Sequence, residues 1–401
     1  MTLNHGRTLM AIPGPSVIPD RVLNAMHRPA PNIYEGALVD LTETLLTDLK
    51  KVACTAGSAV IYIGNGHSAW EAALCNTLSR GDRILVIATG RFAEGWTEMA
   101  KALYLDVEYL DFGTASDADA DRVETVLRAD KAHTFKAVLI VHTDTASSVR
   151  NDIPAIRRAI DAAGHPALFM VDCIASFACD RYEMDAWGVD VTVTACQKGL
   201  MTPPGISFLY FNNKAAQARE KAGLVTSYWD WKKRAAGQIF SHRWAGTPPT
   251  QHLYGLREAL DMILHEEGLE HVWARHEVFA RAIWAAVDAW GGGGSFRLNI
   301  TDPAKRSNAV TTIWTGENEA DRLRKWSEHY AGLTLGIGLS LTEMDGAMKG
   351  DLFRIGHMGH LNIPMIMATL GTIDTGLKAL EIPHGSGAVE AAARVISAFQ
   401  G

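Results

Sequence analysis

The chain of 401 residues is longer than one hydrophobic core usually supports, so two or three domains are expected. Hydrophobic residues make up 47% and charged ones 21%, as in a soluble globular protein, and a formal net charge of −7 without a Lys/Arg block argues against a nucleic-acid partner. No apolar run approaches the roughly 20 residues of a membrane span, and the five cysteines show neither CxxC nor metal-ligand spacing, so reduced thiols and a cytoplasmic location are expected.

From the N-terminus, Ala11-Ile12-Pro13-Gly14-Pro15-Ser16 reads as an extended arm, because each proline biases the residue before it away from helix. The start lacks the long apolar centre of a signal peptide. Pro19-Asp20 begins a helix through Val22, Leu23 and Met26, and apolar residues recur at helical spacing from Leu38 to Lys51. A strand, Ala59 to Ile63, leads into Gly64-Asn65-Gly66-His67-Ser68, which opens a helix through Trp70, Ala73, Leu74 and Leu78. Strand, glycine loop and helix N-terminus in succession make an anion site, since the first helical amides lack partners and the dipole favours negative charge. Gly66, His67 and Ser68 are placed to hold a phosphate there, although the third glycine of a dinucleotide fingerprint is missing. A strand from Arg83 to Ala88 ends in Thr89-Gly90-Arg91-Phe92; the ring of Phe92 suits either a planar ligand or ordinary helix packing. Ala137 to Val141 forms another buried strand, ending in His142-Thr143-Asp144-Thr145.

The run Leu168-Phe169-Met170-Val171 stops at Asp172, as a buried parallel strand does when it delivers a polar residue to its carboxyl edge. A second run, Val189 to Thr194, leads into Cys196-Gln197-Lys198-Gly199; Pro203-Pro204-Gly205 breaks the chain before a strand from Ile206 to Phe211. Asp172 and Lys198 therefore sit at the ends of neighbouring strands, on the edge where open α/β sheets bind ligands. A desolvated lysine condenses with an aldehyde, and an aspartate beside it keeps a pyridine nitrogen protonated. Together they point to pyridoxal phosphate; the plainer alternatives are a loop-capping aspartate and a solvated lysine. Cys196 reads as a buried thiol or a pocket neighbour.

Strands alternating with helices over residues 55 to 211 imply right-handed crossovers and a mostly parallel sheet covered on both faces. Residues 228 to 233 interrupt that rhythm, and a long helical pattern from Gln251 to about Trp290 leaves the large domain. Gly291 to Gly294 end it and start a smaller α/β domain with strands near Ala309–Trp314 and Leu352–Ile355. Arg354, between Phe353 and Ile355, is a charge in an apolar strand and needs a partner, either a ligand carboxylate that its planar fork matches or a structural salt bridge. His357 and His360 lack the companions of a zinc site.

The stretch from Val171 to Gly205 resembles the lysine segment of the class V, fold-type-I aminotransferases, in their alanine–glyoxylate and serine–glyoxylate branch. Pro13-Gly14-Pro15, Gly64-Asn65-Gly66-His67, Thr247-Pro248-Pro249 and Arg354-Ile355-Gly356-His357 recur in that family's order, so the resemblance covers nearly the whole chain. It implies an N-terminal arm (1–25), a large domain with a mostly parallel, seven-stranded type of sheet (26–265), and a smaller C-terminal α/β domain with its linking helix (266–401). It further implies a pyridoxal-phosphate enzyme, a homodimer with shared active sites, that transfers an amino group from a serine- or alanine-type donor to glyoxylate or a related 2-oxo acid.

By the same resemblance Lys198 carries the cofactor aldehyde, Asp172 meets the ring nitrogen, Phe92 stacks, and Thr145 reaches the phenolic oxygen. Gly66, His67, Ser68 and Gln197 hold the phosphate with Thr247 of the neighbouring subunit, Arg354 takes the substrate α-carboxylate, and Gly14 lies near it. Three departures stand out: Asp144 and Ser148 where the family has glutamate and glycine, and Tyr34-Glu35 where a His-Arg-Ser-Pro-like segment is usual. If the Tyr34-Glu35 loop faces the pocket, its carboxylate disfavours dicarboxylic donors; otherwise it is a solvated loop. Rival readings are a relative with another amine donor, of the pyridoxamine–pyruvate or aspartate–glyoxylate type, and a desulfurase-type lyase, which would need a nucleophilic cysteine beyond Cys196.

Overall fold

The apolar runs become strands buried on both sides. In the computed structural model, which describes residues 2–316, 318–339 and 350–399, the large domain contains β2 (Ser58–Gly64), β3 (Arg83–Ala88), β4 (Asp106–Asp111), β5 (Phe135–Val141), β6 (Leu168–Asp172), β7 (Val191–Ala195) and β8 (Gly205–Phe211); β1 (Leu9–Ala11) precedes them. Their order is β2-β8-β7-β6-β5-β3-β4, parallel from β7 to β4, with β8 antiparallel to both neighbours. Because side chains alternate across a strand, each strand feeds two cores. Leu85 and Ile87 join Leu49, Ile156 and Leu253 on one face, while Ile84 and Val86 join Trp70, Leu74 and Trp96 on the other.

The small domain adds β9 (Arg297–Leu298), β10 (Val310–Trp314), β11 (Leu333–Ile337) and β12 (Leu352–Gly356) in the order β1-β11-β12-β10-β9. The N-terminal arm is thus no free extension. Its strand β1 pairs parallel with β11, Leu9 opposite Leu333, and caps the edge of the small sheet. The chain then crosses to the large domain, where Ser16 N donates to Gln197 O at 2.9 Å and Ser16 Oγ to Lys198 O at 2.7 Å.

The expected single helix from 251 to 290 is instead three pieces: a helix Thr250–Leu260, a wider π-type segment Asp261–Glu267, and a helix Leu269–Gly291. Gly268, at φ +85°, makes the break in a backbone conformation that side chains disfavour. Apolar periodicity runs through both helices, so spacing alone reads them as one. The second links the domains: Val272 packs in the large-domain core, while Phe279, Ile283 and Trp290 pack in the small one. No described helix is long and apolar enough to cross a membrane.

Candidate active site

At the carboxyl edge of the large sheet β6 ends in Asp172, and Lys198 follows three residues after β7. A cavity of about 160 Å³ brings together Gly66, His67, Phe92, Thr145, Asp172, Gln197 and Lys198. Gly66 is the first residue of the helix Gly66–Thr77, capped by Asn65, whose side chain accepts from His67 N at 3.1 Å. Motifs far apart in the sequence thus meet because successive parallel strands all deliver their ends to one edge.

Asp172 is held by two donors: Ile174 N reaches one carboxylate oxygen at 2.6 Å and Trp70 Nε1 the other at 2.8 Å. Burial raises its pKa to about 7 against those two hydrogen bonds; Asp144 adds to the rise and Lys198 opposes it. Lys198 moves the other way. Burial and then the positive charge of Arg354 lower it to about 8, with Asp172 opposing. Its Nζ donates to Pro13 O, and Gly14, at φ +102°, is required there, since a Cβ would lie 2.4 Å from Nζ. The arm therefore closes over the lysine.

Arg354 is 6% exposed on β12. Its Nε donates to Ile337 O at 2.7 Å and its Nη1 to Thr145 O at 2.8 Å, and no carboxylate of the described residues lies within ion-pair distance. Of the five N–H donors on a guanidinium, two meet these carbonyls among the described residues, and three others are not engaged by them. Burial lowers its pKa to about 10, with Asp144 opposing, so the group stays cationic at neutral pH.

The loop that carries Thr145 is gripped from both sides. From within, the buried Asp144 carboxylate accepts from Ala146 N at 2.8 Å, Ser147 N at 3.0 Å and Phe92 N at 2.8 Å, so one side chain fixes both loops. Gly90 leaves room for it, because a Cβ would lie 2.3 Å from that carboxyl carbon. From the small domain, four successive carbonyls are met: Thr145 O by Arg354, Ala146 O by Thr312 Oγ1 at 2.8 Å, Ser147 O by Asn299 Nδ2 at 2.8 Å, and Ser148 O by Ser307 N at 3.3 Å. Ser148, at φ +66°, occupies the left-handed region where the resemblance leads one to expect glycine, and its Oγ meets Thr312 Oγ1 at 2.6 Å.

Other expected site residues lie elsewhere. Ser68 sits just behind the cavity, its Oγ donating to Asn65 O at 2.6 Å and meeting Ser207 Oγ. Thr247 is exposed, outside the cavity of its own chain. Tyr34 is 82% exposed, with Glu35 exposed beside it; Asn32 accepts from Tyr34 N at 2.9 Å in a local turn, and neither residue lines that cavity. Cys196 is buried with its thiol directed to Pro203 O at 3.0 Å and does not border the cavity. The buried His357 uses both ring nitrogens, toward Thr311 Oγ1 and Asn308 O, as an internal brace.

Trp70, Thr143 and Ile174 also line the cavity, although no motif of the sequence marks them as site residues. In the sequence Trp70 reads as one of the apolar positions of its helix. The available signal is its place one turn after Gly66, which puts it on the face turned to the strand ends.

The sequence model of the class-V aminotransferases matches residues 23–339. The chain belongs to that family. This aminotransferase is 39% identical to the serine–glyoxylate aminotransferase of Methylorubrum extorquens, over 97% of this chain and 96% of that one. It is 36% identical to the L-aspartate–glyoxylate aminotransferase of Paracoccus denitrificans, over 96% and 94%. Among solved structures, the pyridoxamine–pyruvate aminotransferase of Mesorhizobium loti superimposes with a TM-score of 0.85 at 26% identity, over 99% of this chain and all of that one. The aminotransferase has the fold-type-I architecture of pyridoxal-phosphate enzymes, and its family implies that cofactor.

Proposed function

We propose that this aminotransferase holds pyridoxal phosphate in the cavity at Lys198 and moves an amino group from a small amino acid of serine or alanine type to glyoxylate or a related 2-oxo acid. The observation that carries the reading is the pair Lys198 and Asp172: two buried groups in one cavity, the amine lowered to about 8 and the carboxylate raised to about 7. The raised carboxylate fits the cofactor, because burial disfavours its charge and a cation brought against it offsets that cost, and a protonated ring nitrogen is a cation of the right shape. The N-terminus of the helix Gly66–Thr77 fits its phosphate, with the amide of Gly66 and the side chains of His67 and Gln197 beside it.

When bound, pyridoxal phosphate supplies an aldehyde for the amines and a ring that takes up the electron pair left at the substrate Cα. The chain supplies the rest. Asp172 would hold the ring nitrogen and its proton, Phe92 the ring and Thr145 the phenolic oxygen. Lys198, neutral in a useful fraction near pH 8, holds and moves the proton of the substrate Cα–H as general base and then acid. Arg354 takes the α-carboxylate with the N–H groups left free by Ile337 and Thr145, and the arm at Pro13-Gly14 excludes water above the lysine.

Glyoxylate as acceptor is supported by the names of two relatives above, which share it while differing in the donor. We further propose a homodimer in which Thr247, exposed outside its own cavity, completes the phosphate site of the neighbouring subunit. The deciding experiment is a half-reaction screen. Purified protein should carry a visible absorption band that serine or alanine bleaches and glyoxylate restores. A band that responds to no amino donor rejects transamination; one bleached by pyridoxamine or aspartate alone moves the reading to another donor.

A further inference from the structure

Trp70 is 1% exposed and stands at the centre of the cofactor-facing residues. Its indole N–H donates to Asp172 at 2.8 Å. The same ring meets the imidazole of His67 edge-on at 4.6 Å between centroids and the ring of Phe92 edge-on at 6.3 Å. Behind it, Trp96 stacks at 5.8 Å with 13° between planes. The two indoles are equally buried but differently used. Trp96 Nε1 has no hydrogen-bond partner among the described residues, whereas Trp70 spends its only donor on the Asp172 carboxylate. Hydrogen bonds to charged groups are the strong ones, so the Trp70 donor is more than a satisfied polar atom in a core.

We propose that Trp70 is a positioning residue of the site: its N–H fixes the plane of the Asp172 carboxylate and favours its ionised form, and its ring seats His67 and Phe92. The inference rests on the pyridoxal-phosphate reading and deepens it. Three contacts expected of the cofactor, at its ring nitrogen, ring face and phosphate, are mounted on one side chain. A carboxylate held by Ile174 N on one oxygen and Trp70 on the other keeps one orientation while the ring comes and goes, so binding spends less on ordering it. The charged and titratable groups that share this environment are Lys198 from the loop after β7, Asp144 from the loop after β5, Cys173 next along the chain and His67 from the helix.

The test compares W70F, which keeps a ring and loses the donor, with W96F, which removes an equal indole that touches no cofactor residue. W70F should bind pyridoxal phosphate about ten- to a hundredfold more weakly, the range for one hydrogen bond to a charge, and the acid limb of the activity of loaded enzyme should move to higher pH. W96F should lower the melting temperature and leave affinity and acid limb unchanged. W70H, which retains a ring N–H, should recover part of the lost affinity. An unchanged dissociation constant and acid limb in W70F, with wild type loading normally, overturns the role of Trp70 alone; wild type that takes up no pyridoxal phosphate overturns the cofactor reading with it. Should W70F not fold, the wild type provides a second measurement. The Trp70 indole N–H resonance should shift on addition of pyridoxal phosphate, and one that stays still overturns the proposal.

Discussion

The two walls of the cavity are built by different means. Asp172, Lys198, Phe92 and the helix beginning at Gly66 belong to the large domain and are placed by the sheet itself: each lies within a few residues of a strand end, and the ladder holds those ends in register. The other wall is Thr145 with its loop from Asp144 to Ser148, backed by Arg354, and that loop is met by side chains reaching its backbone carbonyls across the domain boundary. The first wall is set mainly by the ladder of the large sheet, with the N-terminal arm against Lys198. The second is held from both sides of the domain boundary, by the Asp144 carboxylate within the large domain and by Arg354, Thr312 and Asn299 from the small one, so its shape draws on that interface as well.

The sharpest way to break the first wall is Lys198→Ala. Turnover should fall by about 10⁴-fold or more, since the amine both meets the aldehyde and transfers the proton, while far-UV circular dichroism stays that of wild type. Near-normal turnover in this variant would remove the central assignment.

Arg354→Ala attacks the second wall. It should lower kcat/KM for several amino donors together by about a hundredfold, equivalent to about 3 kcal/mol for a charge-assisted contact to the shared α-carboxylate. A drop in thermal stability without that kinetic loss would make Arg354 a structural brace.

The walls should also communicate through charge. Only the unprotonated amine attacks an aldehyde, so capture of pyridoxal phosphate by the apo protein should speed up as pH rises through about 8, well below the ordinary lysine value of 10.5. Because the charge of Arg354 helps to lower Lys198, Arg354→Met should move that midpoint upward. A stopped-flow profile that is the same in both proteins would mean that the walls are electrically independent.

A smaller effect is expected at Asn299, which touches no cavity residue through its own side chain except by way of the loop. Its Nδ2 donates to Ser147 O and Thr114 O, and its Oδ1 accepts from Trp314 Nε1 at 2.8 Å. Asn299→Ala removes the hydrogen bonds to Ser147 O and from Trp314 Nε1 and should cost about 1–3 kcal/mol in chemical denaturation. Weaker cofactor retention should accompany it, and unchanged retention would show that the loop keeps its shape without the small domain. Smallest of all, Glu35→Gln should leave the ranking of amino donors as it is in wild type, because Glu35 is exposed and does not line the cavity of its own chain. A selective gain with aspartate would bring the loop back as a specificity element.

The first wall is largely legible in the amino-acid sequence. Apolar runs that stop at a polar residue, such as Leu168 to Asp172, report buried strands and their ends, and the rule that parallel strands bind ligands at their carboxyl edge then brings Asp172 and Lys198 together. Gly14 and Gly90 are visible there as glycines, but what they make room for, Lys198 Nζ and the Asp144 carboxylate, is not. Helical periodicity also runs unbroken past Gly268, because period counts face and not backbone conformation.

By itself, then, the sequence determined the alternating strands and helices, the loop lysine, the strand-end aspartate and the family, because each is a matter of local pattern or of motif order along one chain. Only the tertiary structure decided that β1 closes the edge of the small sheet, that Trp70 holds Asp172, that Arg354, Thr312, Asn299 and Ser307 meet four successive carbonyls, and that Tyr34 and Glu35 are exposed and do not line the cavity of their own chain. The reason is physical. Such contacts join residues far apart in sequence through single hydrogen bonds whose partners are often backbone carbonyls, and a carbonyl carries no side-chain letter for a sequence to display.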